Sequence, residues 1–315
     1  ENVGCYLPST WTMLYFPALW ALRRNGVKDY SRDPNILAGA RFFLKTLAPP
    51  DARDAGLRQL PPIGHHPYAR KAMPLAAFLA AFVKESDPAL AANLLWMWRT
   101  TGSPIHRNYD HSGPLAEPFT RHYIFHDPAI RAVAPPMESH NLPHVGAVLR
   151  SHDTSGEGSY LFLKAGRVHS HHDDDEGSFH YYGRGVPLAL DGLPLANGAT
   201  AQQHNAVTFA KPGQPTAVVE CFRSTKAADY VRARVAPRGF CSDPMYVDGT
   251  HRSGWERQLV LVKADRPGGV EYLVVKDTTC GPDACQWNMD VLSRRPAPAK
   301  SGRVWFPGHP DRGFG

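Results

Sequence analysis

The densest signal in this chain is the stretch HSHHDDDEGSF at residues 169–179. Two histidines separated by one residue on a β-strand point to the same side, so His169 and His171 are expected to face one site. Asp191 follows at the end of the next apolar run, and His204 opens the run after that. Neutral imidazole together with carboxylate is an ordinary ligand set for zinc. A solvated loop is the competing interpretation of such a turn, but the return of His, Asp and His at three nearby places favours a site.

The residues around this stretch, from Pro135 onwards, form short apolar runs separated by turn residues. The separators are rich in Gly and Pro, as in GEGS, KPGQP and RPGG. Many short strands with such separators are typical of an antiparallel β-sandwich. The runs are VGAVL (145–149), YLFL (160–163), FHYY (179–182), VPLAL (186–190), AVVE (217–220), QLVLV (258–262) and YLVV (272–275).

The residues before Pro135 follow the periodicity of helices instead. Asp33-Pro34 and Asp87-Pro88 each combine an N-cap residue with a proline at the first helical position. Pro17 is expected to kink the first helix or to mark its true start. Helices joined by proline-rich loops are typical of hairpins that stack into a bundle, solenoid or toroid. The apolar faces comprise Leu14, Ala18 and Leu22, then Ile36, Leu37, Ala40, Phe43 and Leu44, then Leu75, Phe78, Leu79 and Phe82, then Leu94, Leu95 and Trp98.

The two patterns together predict an α+β chain of two domains, a helical one at 1–134 and a β-sandwich at 135–315. The chain begins at Glu1 rather than at a methionine, and it stops at Gly315, the last residue of the loop-like GHPDRGFG. We therefore expect a fragment or a processed product, with a sandwich that is cut short at its C-terminal end.

The composition limits the classes of partner. Apolar residues make up 43% of the chain, which argues against disorder. No apolar run is long enough to span a bilayer, so no membrane span is expected. No Lys/Arg-rich run or nucleic-acid-binding motif occurs in the sequence, so no nucleic-acid partner is expected either. The net charge of +6 is a weak indication of an acidic partner.

The five cysteines give an indication of the cellular compartment of the protein. Cys280 and Cys285 flank the turn-like GPDA, where a short disulfide loop is plausible, as is a second disulfide between Cys221 and Cys241. Either bond would fit a periplasmic or secreted protein. Free thiols are the alternative.

A series of motifs runs along nearly the whole chain, namely LPPIG (60–64), GAVLRS (146–151), YLFLKAG (160–166), HSHHDDDEGSF (169–179), YGRGVPLALD (182–191), HNAV (204–207), WERQLVLVK (255–263) and YLVVKD (272–277). In this order they resemble the heparinase II/III-type polysaccharide lyases. The specificity lies in the joint order, since each motif alone is weak.

This resemblance implies a fold and an activity. The fold would be the end of an α/α toroid, incomplete in this chain, followed by an antiparallel β-sandwich. The activity would be cleavage of a uronate-containing acidic polysaccharide, glycosaminoglycan-like or alginate-like, by β-elimination.

The resemblance also implies roles for individual residues. In the metal-bearing members of the family, zinc is bound at the positions that match His171, Asp191 and His204. Such a zinc ion would be structural or orienting, and no organic cofactor is implied. His169 matches the histidine at the catalytic cleft, and Tyr6 matches the catalytic tyrosine, with Tyr15 as its competitor.

The sequence departs from the family pattern in three places. The turn between Asp173 and Gly177 is longer than in the commoner form, and the gap between Asp191 and His204 is short. The Asn or His that the family contributes from the toroid to the cleft would precede residue 1.

Three other classes of protein compete with the lyase. A non-catalytic carbohydrate-binding protein on the same scaffold is the first. A cupin-type metalloenzyme is the second, because His169, His171, Glu176 and Gly183 imitate the first cupin motif, although the second motif does not follow. A glycoside hydrolase is the third, but it needs a pair of carboxylates, and Glu1, Glu85 and Glu138 carry no motif.

Overall fold

The computed structural model describes residues 11, 15–51, 56–61, 74–102, 126–151, 158–166, 175–190, 201–210, 215–237, 253–266 and 269–291. The chain divides into two compact units, Glu1–Glu138 with Pro194–Asn197 and Ser139–Leu193 with Gly198–Gly315. The exact domain ranges predicted from the sequence, 1–134 and 135–315, stay a prediction.

The helices of the first unit begin where the sequence places their caps. The Asp33 carboxylate accepts from the backbone N–H of Asn35 at 2.9 Å, and the Asp87 carboxylate accepts from that of Leu90 at 2.9 Å. Both predicted N-caps are therefore confirmed, each followed by a proline whose missing N–H would have had no helical partner. In the described ranges the α-helices are α1 (Phe16–Arg24), α2 (Pro34–Thr46), α3 (Pro74–Val83) and α4 (Pro88–Thr100). A short antiparallel sheet in the same unit pairs β1 (Pro50–Asp51) with β2 (Leu57–Arg58).

Helix α3 is the centre of the first unit. Every residue from Leu75 to Val83 is at most 6% exposed, as expected for a helix that is apolar on all sides. The ring of Phe16 in α1 lies 5.3 Å from that of Phe78 and 5.8 Å from that of Phe82. In the part of the chain that the structure describes, no helix is long and apolar enough to cross a membrane.

The second unit contains a five-stranded antiparallel sheet. Neighbouring strands follow one another along the chain, so the sheet is a meander. Tyr160 pairs with Arg150 on one side and with Tyr182 on the other. In spatial order the strands are β3 (His140–Leu142), β4 (Gly146–Arg150), β5 (Tyr160–Lys164), β6 (Phe179–Gly183) and β7 (Val186–Ala189).

A four-stranded antiparallel sheet faces the first one across an apolar core. Its strands also pair in chain order, and a register shift between Arg232 and Ala233 marks an irregularity in one pairing. Two short strands, β8 (Val207–Phe209) and β13 (Cys285–Trp287), pair separately. The four strands are β9 (Pro215–Ser224), β10 (Ala228–Pro237), β11 (Gly254–Val262) and β12 (Tyr272–Cys280).

The core between the two sheets contains alternate residues of each strand, as the period of two requires. Leu161 and Leu163 of β5 meet Leu259 and Leu261 of β11 in this core, and all four side chains are fully buried. The architecture is α+β with a sandwich-like second unit, as the sequence predicts. The toroid stays a prediction.

Strand β10 is the main element that the sequence reading missed. It is a central strand of its sheet and pairs along its length with both β9 and β11. Val231, Ala233 and Val235 face the core, while Arg232 and Arg234 alternate with them. The strand contains no continuous apolar run, which was the pattern used to predict the others.

Candidate functional site

Four of the five predicted site residues, Tyr6, His169, His171 and Asp191, lie outside the described residues. His204 is described, and its side chain is buried at 4% exposure. Tyr15, the competitor of Tyr6, is 56% exposed. The structure therefore describes the chain on either side of the predicted ligands, and we call these segments the framework of the site.

Asn205 joins the segment that carries His204 to the chain that leaves the His/Asp-rich turn. Its backbone N–H donates to the Ser178 hydroxyl at 3.1 Å, and its side-chain Nδ2 donates to the Phe179 carbonyl at 2.8 Å. Its Oδ1 accepts from the backbone N–H of Asp290 at 2.6 Å. Asn205 is fully buried, so these bonds form away from water. The structure thus brings together two segments that are 27 residues apart in sequence.

Arg257 on β11 connects the same two segments from the opposite sheet. Its Nη1 donates to the carbonyl of Gly177, at 2.6 Å, and also to the carbonyl of Asn205. Its Nε and Nη2 donate to the two carboxylate oxygens of Asp277 at 2.8 and 2.7 Å. Arg257 is fully buried. The charge is therefore compensated by a two-pronged ion pair, the strongest geometry available to an arginine.

Lys164 holds the acidic end of the turn. Its ammonium group forms an ion pair with Glu176 and lies 3.6 Å from the Asp175 carboxylate. The second Glu176 oxygen accepts from the backbone N–H of Gly166 at 2.7 Å. Burial raises the pKa of the Glu176 carboxyl above its usual range, while the Lys164 ammonium opposes this rise. These contacts fix the chain at residues 175 and 176.

Gly177 closes the turn in a conformation that favours glycine. Its φ of +84° lies in the left-handed region. A Cβ atom there would lie 2.5 Å from the Trp255 ring and 2.7 Å from the Val235 side chain. The backbone of Gly177 can approach the opposite sheet closely only because it has no side chain. This approach puts its carbonyl within reach of Arg257.

The described residues alone do not contain a complete metal centre. No three His, Cys, Asp or Glu side chains among them are grouped so as to hold an ion. His204, the one predicted ligand that is described, is compatible with zinc in burial and chemistry, since imidazole is a usual zinc ligand. The contribution of His171 and Asp191 stays a prediction.

The cysteines that the structure describes are free. Cys280 and Cys285 are exposed, and Cys221 is partly buried. The Cys280 thiol lies 3.3 Å from the carbonyl of Gly254 as a hydrogen-bond donor. The Cys280–Cys285 disulfide considered from the sequence is therefore not formed in this structure. Of the second pair considered, Cys221 is free and Cys241 lies outside the described residues.

Sequence reasoning missed Arg257 and Lys164 as parts of the framework. A signal for Arg257 was present, because Trp255, Leu259 and Leu261 share its parity in WERQLVLVK and point into the core. A charged residue at an inward position needs a buried partner.

Comparison with known proteins supports the fold alone. No protein-family model matches the sequence, and no curated protein matches it. Several solved structures match, and two of them are each 12% identical to this chain. A heparinase III, the BT4657 gene product, gives a TM-score of 0.59 over 95% of this chain and 41% of its own. Another heparinase III gives a TM-score of 0.51 over 81% of this chain and 36% of its own. The chain is similar in fold to heparinase III.

The similarity to heparinase III extends over both units of the chain, since a second structure of the BT4657 gene product, with methylated lysines, also matches 95% of it. That match has a TM-score of 0.56 at 13% identity. This chain spans about two-fifths of the length of the heparinase III structures that it matches.

Proposed function

We propose that the protein is a polysaccharide lyase that cleaves a uronate-containing acidic polysaccharide by β-elimination. The observation that supports this proposal most is the fold similarity to heparinase III over 95% of the chain. A glycosaminoglycan-like or alginate-like polymer is the proposed substrate, and the net charge of +6 is compatible with an acidic one.

β-Elimination sets three tasks. The uronate carboxylate must be neutralised so that the C5 proton becomes acidic, a base must remove that proton, and an acid must protonate the departing glycosidic oxygen. We assign the acid and base tasks to His169 and Tyr6, because imidazole and phenol pKa values can be tuned in a cleft. In the proposed reaction, the electron pair of the broken C–H bond forms the C4–C5 double bond as the C4–O bond breaks.

The proposed zinc ligands are His171, Asp191 and His204. When bound, the ion would cross-link the segments that carry them and so orient the turn that carries His169. His204 and the framework around Asn205 support this role. We do not count Asp175 among the zinc ligands, because its carboxylate forms an ion pair with the Lys164 ammonium at 3.6 Å.

A periplasmic or secreted location is part of the same proposal. It rests on the substrate class, because acidic polysaccharides of this kind are met outside the cytoplasm. Because the thiols of Cys280 and Cys285 are free, a disulfide between them does not support this location.

The test is an elimination assay on a panel of uronate polymers. The ultraviolet absorbance of the unsaturated uronate product is followed for the unmodified protein, His169→Ala, Tyr6→Phe and His172→Ala. His172 is the matched control, since it lies in the same turn and has no assigned role. We expect product from at least one polymer, its loss in His169→Ala and Tyr6→Phe, and its retention in His172→Ala.

Other outcomes would point to the competing classes. Binding of a polymer without any product would favour a non-catalytic carbohydrate-binding protein. Lack of product together with a redox-active bound metal would favour the cupin-type metalloenzyme.

A further inference from the structure

Arg257 occupies a position from which it controls the spacing of two chain segments. Its Nη1 group has two hydrogens, and it donates to the carbonyls of both Gly177 and Asn205. Gly177 lies six residues after His171 in the sequence, and Asn205 directly follows His204. One guanidinium nitrogen therefore ties together the two segments that carry proposed zinc ligands.

The guanidinium group is itself held in place. Asp277 accepts from Nε and Nη2, so the plane of the group is fixed by two parallel bonds. The rings of Phe179 and Trp255 lie 5.0 and 4.5 Å from its central carbon, as in cation–π contacts. Trp287 donates to the same Asp277 carboxylate at 2.7 Å. The Asp277–Arg257 pair is thus a rigid support.

We propose that Arg257, oriented by Asp277, is a positioning residue that sets the place of His204 relative to the chain at Gly177 and thereby sets the affinity of the protein for zinc. This inference rests on the zinc role proposed for His204. It assigns to β11 and β12 a part in the site, although neither strand carries a proposed ligand. Residues that orient metal ligands through hydrogen bonds typically change metal affinity by about 10–100-fold when replaced.

Lysine cannot replace arginine in this arrangement. The ammonium group of lysine keeps the charge, but it is a compact group without the planar fork that serves both Asp277 oxygens and two carbonyls at once. Arg257→Lys therefore removes the planar hydrogen-bonding geometry of the guanidinium group but keeps its positive charge. Asp277→Asn is the second variant: it keeps Arg257, but it removes the negative charge of its partner and replaces one of the two acceptor oxygens by an NH2 group.

The chain offers a matched control in the same sheet. Lys263 forms a buried ion pair with Asp229 at 2.7 Å, and it also donates to the carbonyl of Thr225. The Lys263 side chain is 7% exposed and the Asp229 side chain is fully buried. Lys263→Met therefore disrupts a comparable buried ion pair in the same sandwich. The partners of Lys263 are Asp229 and Thr225, not Gly177 or Asn205.

Two measurements test the inference. The first is the dissociation constant for zinc, measured by competition with a chromophoric chelator. We expect Arg257→Lys to weaken zinc binding by about 10–100-fold and Lys263→Met to change it by less than about threefold. The second is amide hydrogen exchange at Asn205, whose N–H donates to Ser178. We expect faster exchange in Arg257→Lys than in Lys263→Met.

The outcomes separate this inference from the proposed function. Equal exchange at Asn205 in the two variants would overturn the positioning role. Faster exchange with unchanged zinc affinity would overturn its connection to the metal. If the unmodified protein binds no zinc, the proposed metal role of His204 and the connection to zinc both fail, and the exchange rates alone decide whether Arg257 positions the segment. If Arg257→Lys does not fold, the same comparisons are made with Asp277→Asn.

Discussion

The Asn205 side chain donates from Nδ2 to the Phe179 carbonyl, at 2.8 Å, across two segments that are 26 residues apart. Its Oδ1 also accepts from the Asp290 N–H, so removal of the side chain leaves two backbone groups without this partner. Phe179 is fully buried, and a buried polar group left unsatisfied costs about 1–3 kcal/mol, whereas Asp290 is exposed and water can replace its lost partner. We expect Asn205→Ala to lower the free energy of unfolding by about 1–3 kcal/mol, as measured by urea denaturation.

Asn93 provides the control for this measurement. Its Nδ2 donates to the Val133 carbonyl at 2.9 Å, but at an exposed position where water can replace the lost partner. We expect Asn93→Ala to lower the free energy of unfolding by less than about 1 kcal/mol. Similar losses in the two variants would show that Asn205 is not a buried connection.

Gly177 and Gly26 form a second pair for comparison. Both have positive φ values, +84° and +67°, so an alanine at either position is expected to cost about 1–2 kcal/mol of backbone strain. Around Gly26 nothing lies within 4 Å of an added Cβ, whereas at Gly177 the Cβ would lie 2.5 Å from Trp255. We expect thermal unfolding to show a larger loss for Gly177→Ala, by about a further 1–3 kcal/mol from overpacking. Equal losses would mean that the Trp255 ring moves aside without cost.

The sequence-based prediction identified strands whose side chains are buried in the core. YLFL and QLVLV are apolar runs because β5 and β11 lie against the core, and both are strands in the structure. Strand β10 was missed because Asp229, Arg232 and Arg234 interrupt its apolar residues. Val231, Ala233 and Val235 alternate with the two arginines, which is the pattern of a strand buried on one face, whereas the strands were predicted from continuous apolar runs.

The framework of the candidate site was predictable only in part. The motif order pointed to His204-Asn205, and the structure connects this segment to Ser178. Donation from Arg257 to the carbonyls of Gly177 and Asn205 has no counterpart in sequence patterns, because backbone carbonyls are common to all residues. Such contacts are set by how the two sheets pack, which depends on the whole core.

The Lys164–Glu176 pair gives a prediction about stability and pH. Removal of one partner from a buried ion pair typically costs about 3–5 kcal/mol, because the other charge is left without compensation. We expect Lys164→Met to lose about this amount of unfolding free energy near neutral pH, measured by urea denaturation. Lys164→Met combined with Glu176→Gln should lose less, because no buried charge then remains on either side chain.

The pH dependence of Lys164→Met follows from the direction of the Glu176 shift. Burial raises the pKa of Glu176 in the folded protein, and the ammonium that opposes this rise is gone in the variant. The folded state then binds the proton more tightly than the unfolded state. The unfolding free energy should therefore be highest below the unfolded pKa of Glu176 and should fall as the pH rises through the folded pKa. Asp175 loses the same ammonium in both variants, so the difference between the single and the double variant isolates Glu176. An equal pH dependence in the two variants would assign it to another group.

The Lys84–Asp127 pair in the first unit gives a prediction with the opposite sign. The Lys84 ammonium donates to Asp127 at 2.7 Å, and this hydrogen bond is the largest cause of a lowered Asp127 pKa. A carboxyl whose pKa is depressed on folding stabilises the protein above its unfolded pKa, and this contribution is lost as the pH falls through the folded pKa. In Lys84→Gln we expect the Asp127 pKa to rise towards its ordinary value, as followed by carbon NMR of the carboxyl group.

Arg24→Gln is the matched variant, because Arg24 lines the same surface groove, of about 520 Å³, and is also exposed. It removes one positive charge near Asp127 but leaves the hydrogen bond from Lys84 intact. Since exposed charges are screened by solvent and salt, we expect Arg24→Gln to leave the Asp127 pKa close to that of the unmodified protein. An equal rise in both variants would mean that the summed charge of the groove, rather than the Lys84 hydrogen bond, holds the Asp127 pKa low.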